Sequence, residues 1–379
     1  MRSAFLLLLI AVGGLRVFEV PINEAPAGPP LEIRLDGSLE PAREKRIREI
    51  CAEFPFLERH RTSHFEILSD LDDETIAEHG QLLERTVHAV EDFSRFLGYD
   101  VESFPNRQRR HLVLAFSDRN DFIKFAGNHD KINAAWLGGY FAPLSGHLAY
   151  HTAANHPDLM RIANRIERAE EGGDDERHQD IRRRMSRFVI QADASVVVHE
   201  ATHMLLHHFG VAPATSRQPM WLLEGLAGSF EPAEASRRFG PMRPENGRTR
   251  DFRKLLREGR VPQLSDLVRE REFPKGHQNT QANYATSAAL CSWLARYRPR
   301  ELRRFLDNIN NASDQQTPAM DMAGIDDAME APVRAGVDWL ADFETVFGDI
   351  EEIEKTWLRS ERAAASLPIA NGEFIESWD

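Results

Sequence analysis

The sequence predicts an α+β protein, with strands collected in its first half and helices alone in its second. Two observations carry this expectation. Short apolar or alternating segments bounded by turn residues occur only before about residue 151, and beyond Pro232 the apolar positions recur at helical spacing through Trp357. A length of 379 residues leaves room for about two lobes, each able to bury its own core.

The chain opens with "MRSAFLLLLIAVGGLRVFEV", one basic residue ahead of an apolar stretch from Ala4 to Leu15 that is short for a bilayer span. This is the form of a secretory signal over residues 1–18, with Ala11 and Gly13 as the small residues before cleavage, and it predicts an exported protein. The Pro-rich, irregular run after it reads as an N-terminal arm or linker over 19–60. A mixed α/β lobe is expected over 61–232. Its strands are "HFEILSD" (64–70), "HLVLAFSD" (111–118) and a pair within "AAWLGGYFAPLSGHLAYHT", and its first helix is "DETIAEHGQLLERTVHAVEDFSRFLGY", ending near Gly98. The stretch from Asp158 to Phe188 is helical but interrupted by "EEGGDDERHQD", whose glycines and acids predict a loop. A helical lobe over 233–366 and a loose tail over 367–379 complete the chain.

Hydrophobic residues at 42% and charged residues at 28% are ordinary for a globular protein, and no window supplies the roughly 20 apolar residues of a spanning helix. A net charge of −13 repels phosphate backbones and argues against a nucleic-acid partner. The run from Arg237 to Arg260 is locally basic and reads as a solvated face or a surface for an anionic partner. Two cysteines, Cys51 and Cys291, exclude both a disulfide-dense scaffold and a four-thiolate metal site; Cys291 lies in an apolar helical pattern as a small buried hydrophobe.

Chemistry concentrates in "SVVVHEATHMLLHHFG" (195–210). With Ser195 as N-cap and Gly210 as C-cap it forms a helix of about four turns. At 3.6 residues per turn, His199 and His203 then stand one above the other and can share one ion, with Glu200 beside them to hold an attacking water. A zinc centre needs a third ligand. The Gly and His that would extend the motif in one direction are replaced by Leu206 and Phe209. Downstream, "QPMWLLEGLAGSFEP" offers Glu224 after 20 intervening residues, on a helix opened by Pro219 and limited by Pro232. Glu224 is therefore the expected third ligand, and Glu231, seven residues on, a supporting acid behind the ligands. Gly225 and Gly228 leave room for a second helix to approach closely. His207 and His208 continue the stripe and are expected to be structural.

These residues resemble the gluzincins of the peptidase MA clan, in which His-Glu-x-x-His is followed by a helix carrying Trp-Leu-x-Glu-Gly. The wider pattern, with "GGYFAP", "NYATSAALCSWL" and "FETVFGDIEEIEKTW", is similar to a bacterial peptidase-MA-like family over about residues 60–360. The resemblance implies a gluzincin-like arrangement with one Zn2+ held by His199, His203 and Glu224, and Glu200 as general base. It places Tyr284, at the start of "YATSAALCSWLARY", either as an oxyanion donor or as a core aromatic. It makes the strand with Gly139 and Tyr140 an edge on which an extended peptide would pair, though Tyr140 reads more readily as a sheet residue than as a substrate contact. The expected activity is hydrolysis of a peptide or protein substrate. The alternatives are a zinc-stabilised peptide-binding module without catalysis and a hydrolase of a non-peptide amide. No Gly-x-Met-Glu-Asn loop precedes the zinc helix, so exopeptidase recognition is unsupported.

Export carries its own test. The mature N-terminus of native protein should lie shortly after Gly13, and an intact mass that retains Met1 on cytoplasmic material contradicts it.

Overall fold

The computed structural model of the chain describes residues 41–366, except 136, 156–158, 162–174, 213–217, 244–246, 271–276 and 315–337. The expected signal segment and C-terminal tail lie outside the described residues. Helix α1 (Pro41–Glu53) precedes β1 (Glu58–Arg61), β2 (Phe65–Ser69), α2 (Asp73–Phe96), β3 (His111–Phe116), α3 (Arg119–His129), β4 (Gly139–Ala142) and β5 (His147–His151). Thereafter the described elements are helical: α4 (Asp175–His208), α5 (Met220–Phe230), α6 (Gly247–Glu258), α7 (Leu264–Arg269), α8 (His277–Tyr297), α9 (Pro299–Asp314), α10 (Trp339–Phe347) and α11 (Ile350–Ser366). The fold is α+β with a helical second half, as the patterning predicts.

The five strands form one sheet in the order β1-β2-β3-β5-β4, its three central strands parallel and both edge strands antiparallel to their neighbours. Strands β2, β3 and β5 are buried throughout because helices cover both faces, which explains their near-continuous apolar sequences. Leu68, Leu112, Leu114, Phe116 and Ala149 pack on one side with Ile47 and Ile50 of α1, Phe54 just after it, and Phe122 and Phe125 of α3. Phe65, Ile67, Val113, Leu148 and Tyr150 face the other way, toward α2 and α4. That second layer continues without a break through Trp221, Phe252, Trp293, Phe305 and Trp357, so sheet and C-terminal helices share one apolar core.

Three expectations need correction. Residues 41–60 are not a linker: α1 and β1 belong to the sheet layer, their contribution hidden because Ile47, Ile50, Phe54 and Leu57 are the buried apolar residues of a highly charged segment and "ERHR" lacks strand alternation. The end of the "EEGGDDERHQD" stretch is not a loop either, since α4 begins at Asp175. Ser195 is consequently an interior residue and not an N-cap. The helix runs 34 residues, about 51 Å, and is steadily buried only from Asp193 onward. Its end follows the prediction. Gly210 at φ 72° bonds to His207 O at 3.1 Å and Val211 N to Leu206 O at 3.0 Å, the two bonds of a left-handed C-terminal cap.

Asp193 fastens α4 to the sheet. It accepts from the Thr152 hydroxyl at 2.6 Å and from Ala153 N at 2.7 Å, and lies 3.8 Å from His79, whose other ring nitrogen meets the Tyr150 hydroxyl at 2.9 Å. Burial pushes Asp193 up to about 6, against its two hydrogen bonds, and pushes His79 down to about 4.

Helix α5 packs chiefly against α8. A Cβ on Gly225 would stand 2.6 Å from Ser287 O and 2.7 Å from Cys291 Sγ, and one on Gly228 would stand 3.2 Å from Ala288 Cβ. The glycines do serve close approach of two helices, and Cys291 is buried and free. Gly225→Ala therefore forces backbone apart and should cost about 1–3 kcal/mol. Gly127→Ala, at an exposed position of α3 with nothing within 4 Å of the added methyl, should gain about 0.5–1 kcal/mol. Urea denaturation of both variants checks the pair; a Gly225→Ala protein as stable as wild type removes the close-approach argument.

Candidate metal centre

One turn of α4 sets His199 above His203, both buried among apolar residues. Helix α5 crosses this turn and delivers Glu224. It is pinned by Trp221, which is fully buried with its ring centroid 5.7 Å from that of Phe305 and 5.8 Å from that of Phe343. The three side chains each offer one ligand atom, all within 4.8 Å of one another. His199 Nε2 lies 3.2 Å from His203 Nε2 and 3.1 Å from Glu224 Oε2, and His203 Nε2 lies 3.7 Å from that same oxygen. Tetrahedral zinc with bonds of about 2.0–2.1 Å has ligand-to-ligand edges of about 3.3–3.4 Å. The triangle matches that size, and the donor set of two imidazoles and one carboxylate suits zinc.

Glu231 follows α5 as its C-terminal cap residue, outside the helix proper. Its Oε1 is 2.9 Å from His199 Nδ1, so the two carboxylates grip the two nitrogens of one ring. This carboxylate–histidine pairing orients a ligand and fixes its tautomer. Burial pushes His199 down, but Glu224 and Glu231 outweigh it and raise the ring to about 10. Burial likewise works against the ionised forms of Glu224 and Glu231. Glu224 is nevertheless lowered, chiefly by the charge of His203 and the bond to His199, and Glu231 is lowered chiefly by Arg248.

Glu200 is half-buried and its carboxyl is pushed up by burial, opposed by the charges of His199 and His203. Glu224 and Glu200 are thus driven in opposite directions within one cluster. Tyr284 also reaches the centre. Its ring centroid is 6.3 Å from that of His199, and its hydroxyl is raised by burial and then by Glu224. It sits two turns inside α8, which begins at His277, so it does not start the helix as expected.

The Gly139–Tyr140 pair divides. Strand β4 is the sheet edge, and Gly139 lies on the face against α4, where a Cβ would come within 2.9 Å of Val196 Cγ1. Tyr140 points to the opposite face, donates to Asp130 Oδ2 at 2.6 Å and is buried beside α3. Its side chain is therefore a sheet anchor and not part of this centre, because neighbouring strand residues alternate between faces. Any substrate contact from this strand falls to its backbone. His208 is structural as expected, its Nδ1 2.8 Å from His111 Nδ1 with the rings stacked at 4.8 Å. His207 lies against Phe141 at 5.3 Å.

Sequence reasoning missed Arg248. It falls within the basic run assigned to a solvated face, yet turns inward with Nη2 2.8 Å and Nε 2.9 Å from Glu231 Oε1 and with Nη1 donating to Gln281 Oε1 at 3.1 Å. Spacing to another element leaves no local signal, so only a buried carboxylate in need of a cation could have pointed to it.

No curated protein matches the chain. The segment 193–317, which holds His199, Glu200, His203, Glu224, Glu231, Arg248 and Tyr284, is similar to the family described as Protein of unknown function (DUF1570).

Proposed function

We propose that this chain is a zinc-dependent peptidase of gluzincin type, acting on extended peptide or protein segments. The observation that carries the reading is the ligand triangle of His199, His203 and Glu224, sized for one tetrahedral ion, with Glu200 beside it as a carboxyl pushed toward neutrality. Zinc held by these three residues would supply Lewis-acid activation of a water and polarisation of a carbonyl at its open position. Glu200 takes the proton from the attacking water and returns it to the leaving amine, a role for which an elevated pKa is suited. Tyr284 donates its hydroxyl hydrogen to the oxyanion as charge develops there. The outer edge of β4, near Gly139, pairs with substrate backbone, which gives binding with little side-chain selectivity. An acid at position 200 favours hydrolysis over a purely structural ion, which would need no base.

The purified protein should hold about one zinc per chain, and Glu224→Gln should weaken its retention because a neutral amide replaces an anionic ligand. Unchanged affinity in that variant removes Glu224 from the ligand set. Glu200→Gln should keep zinc and fold while losing nearly all turnover on a peptide library; equal activity in the two proteins sinks the general-base assignment. A protein that binds zinc and cleaves no peptide bond is instead a zinc-stabilised peptide-binding module or acts on another amide.

Tyr284→Phe should leave zinc content and melting temperature near wild type and lower kcat by roughly ten- to a thousandfold. A purely structural tyrosine would give the reverse, with a lowered melting temperature and normal kcat.

A further inference from the structure

Three elements meet behind the ligands. Glu231 closes α5, Arg248 projects from the first turn of α6, and Gln281 and Tyr284 stand one turn apart on α8. Arg248 touches all three. Two of its nitrogens converge on Glu231 Oε1, a third donates to Gln281, and its guanidinium carbon lies 5.3 Å from the centre of the Tyr284 ring. The fork reaches Glu231 alongside Gly228, whose missing side chain would have stood 3.6 Å from Arg248 Cγ and 3.9 Å from Glu231 Oε1. A Cβ on Gly247 would likewise stand 4.0 Å from Glu231 Oε2, in ordinary van der Waals contact.

A guanidinium presents several donors in a fixed plane, so it can fix the direction of a carboxylate in a way that an ammonium cannot. Glu231 uses the same Oε1 to contact His199 Nδ1. The orientation of the His199 ring therefore depends on where Arg248 holds that oxygen.

We propose that Arg248 is the positioning residue of the metal centre: by clamping Glu231 against His199 and lying beside Tyr284, it sets the geometry of the zinc ligands and of the oxyanion donor together. The proposal rests on the zinc reading of this site. Arg248 touches neither substrate nor metal and acts through Glu231. Loss of the carboxylate partner of a ligating histidine lowers metal affinity by about 10–100-fold, and loss of Arg248 should have an effect of the same order.

The test is zinc affinity, measured by competition with a chromophoric chelator on the full chain, for wild type, Arg248→Met, Arg248→Lys, Glu231→Gln and the Arg248→Met/Glu231→Gln double variant. Arg248→Met should weaken zinc binding by about 10–100-fold. Arg248→Lys, which keeps the charge and loses the fork, should fall between Arg248→Met and wild type; it also serves where Arg248→Met does not fold. The double variant should lose no more than the worse single variant, because both act on the same ring. Wild-type affinity in a folded Arg248 variant, or losses that multiply in the double variant, overturns the proposal while leaving the zinc reading intact. A wild-type protein that takes up no zinc overturns both.

Discussion

One imidazole organises this molecule. His199 is gripped at Nε2 by Glu224 and at Nδ1 by Glu231, deep in an apolar core. Burying ionisable groups is costly unless each is paired and hydrogen-bonded. The groups of this network come from different helices, so α4, α5, α6 and α8 have to converge on one point. That requirement explains the glycines of α5. Gly225 lets α8 approach to backbone contact, and Gly228 makes room for Ala288 of the same helix.

The same helix carries a second buried polar cluster solved in the opposite way. At the Asp193 contact, burial drives the carboxyl up and the His79 ring down, so both tend to the neutral form and are satisfied by Thr152, Ala153 and Tyr150. Around His199 the groups are instead driven toward their charged forms by opposite partners. The Asp193 cluster fastens the helix to the sheet; the one around His199, a short way along α4, gathers two imidazoles and a carboxylate within reach of one cation. Rigid attachment through Asp193 and the packing of Trp221 keep the His199–Glu224 geometry from drifting, which a centre with edges of 3.1 to 3.7 Å requires.

Within that centre, the contrast between Glu224 and Glu200 is electrostatic and not chemical. Both are glutamates within reach of the same two histidines. Glu224 bonds to them directly and is held as an anion, whereas Glu200 is half-buried without such a bond and is pushed upward. Environment alone drives one side-chain type in two directions.

The sequence by itself determined the features that local periodicity encodes. A helix carries residues four apart onto one face, so His199 and His203 had to be neighbours, and Pro219, Pro232 and Gly210 marked ends that the structure keeps. The α+β layout was legible for the same reason, because buried parallel strands and amphipathic helices have distinct periods. Tertiary structure alone decided the rest. Helix α1 and β1 join the sheet layer because four apolar residues of a charged segment find a complementary face, and Tyr140 turns away from α4 because the sheet order sets which strand face meets which helix. Arg248, drawn from a run that looks solvent-exposed, turns inward because Glu231 is buried and needs a cation, and that need exists only once α5, α6 and α8 have packed. Contacts within a helix are dictated by bond geometry, whereas contacts between helices are chosen by burial and charge pairing, which no local spacing encodes.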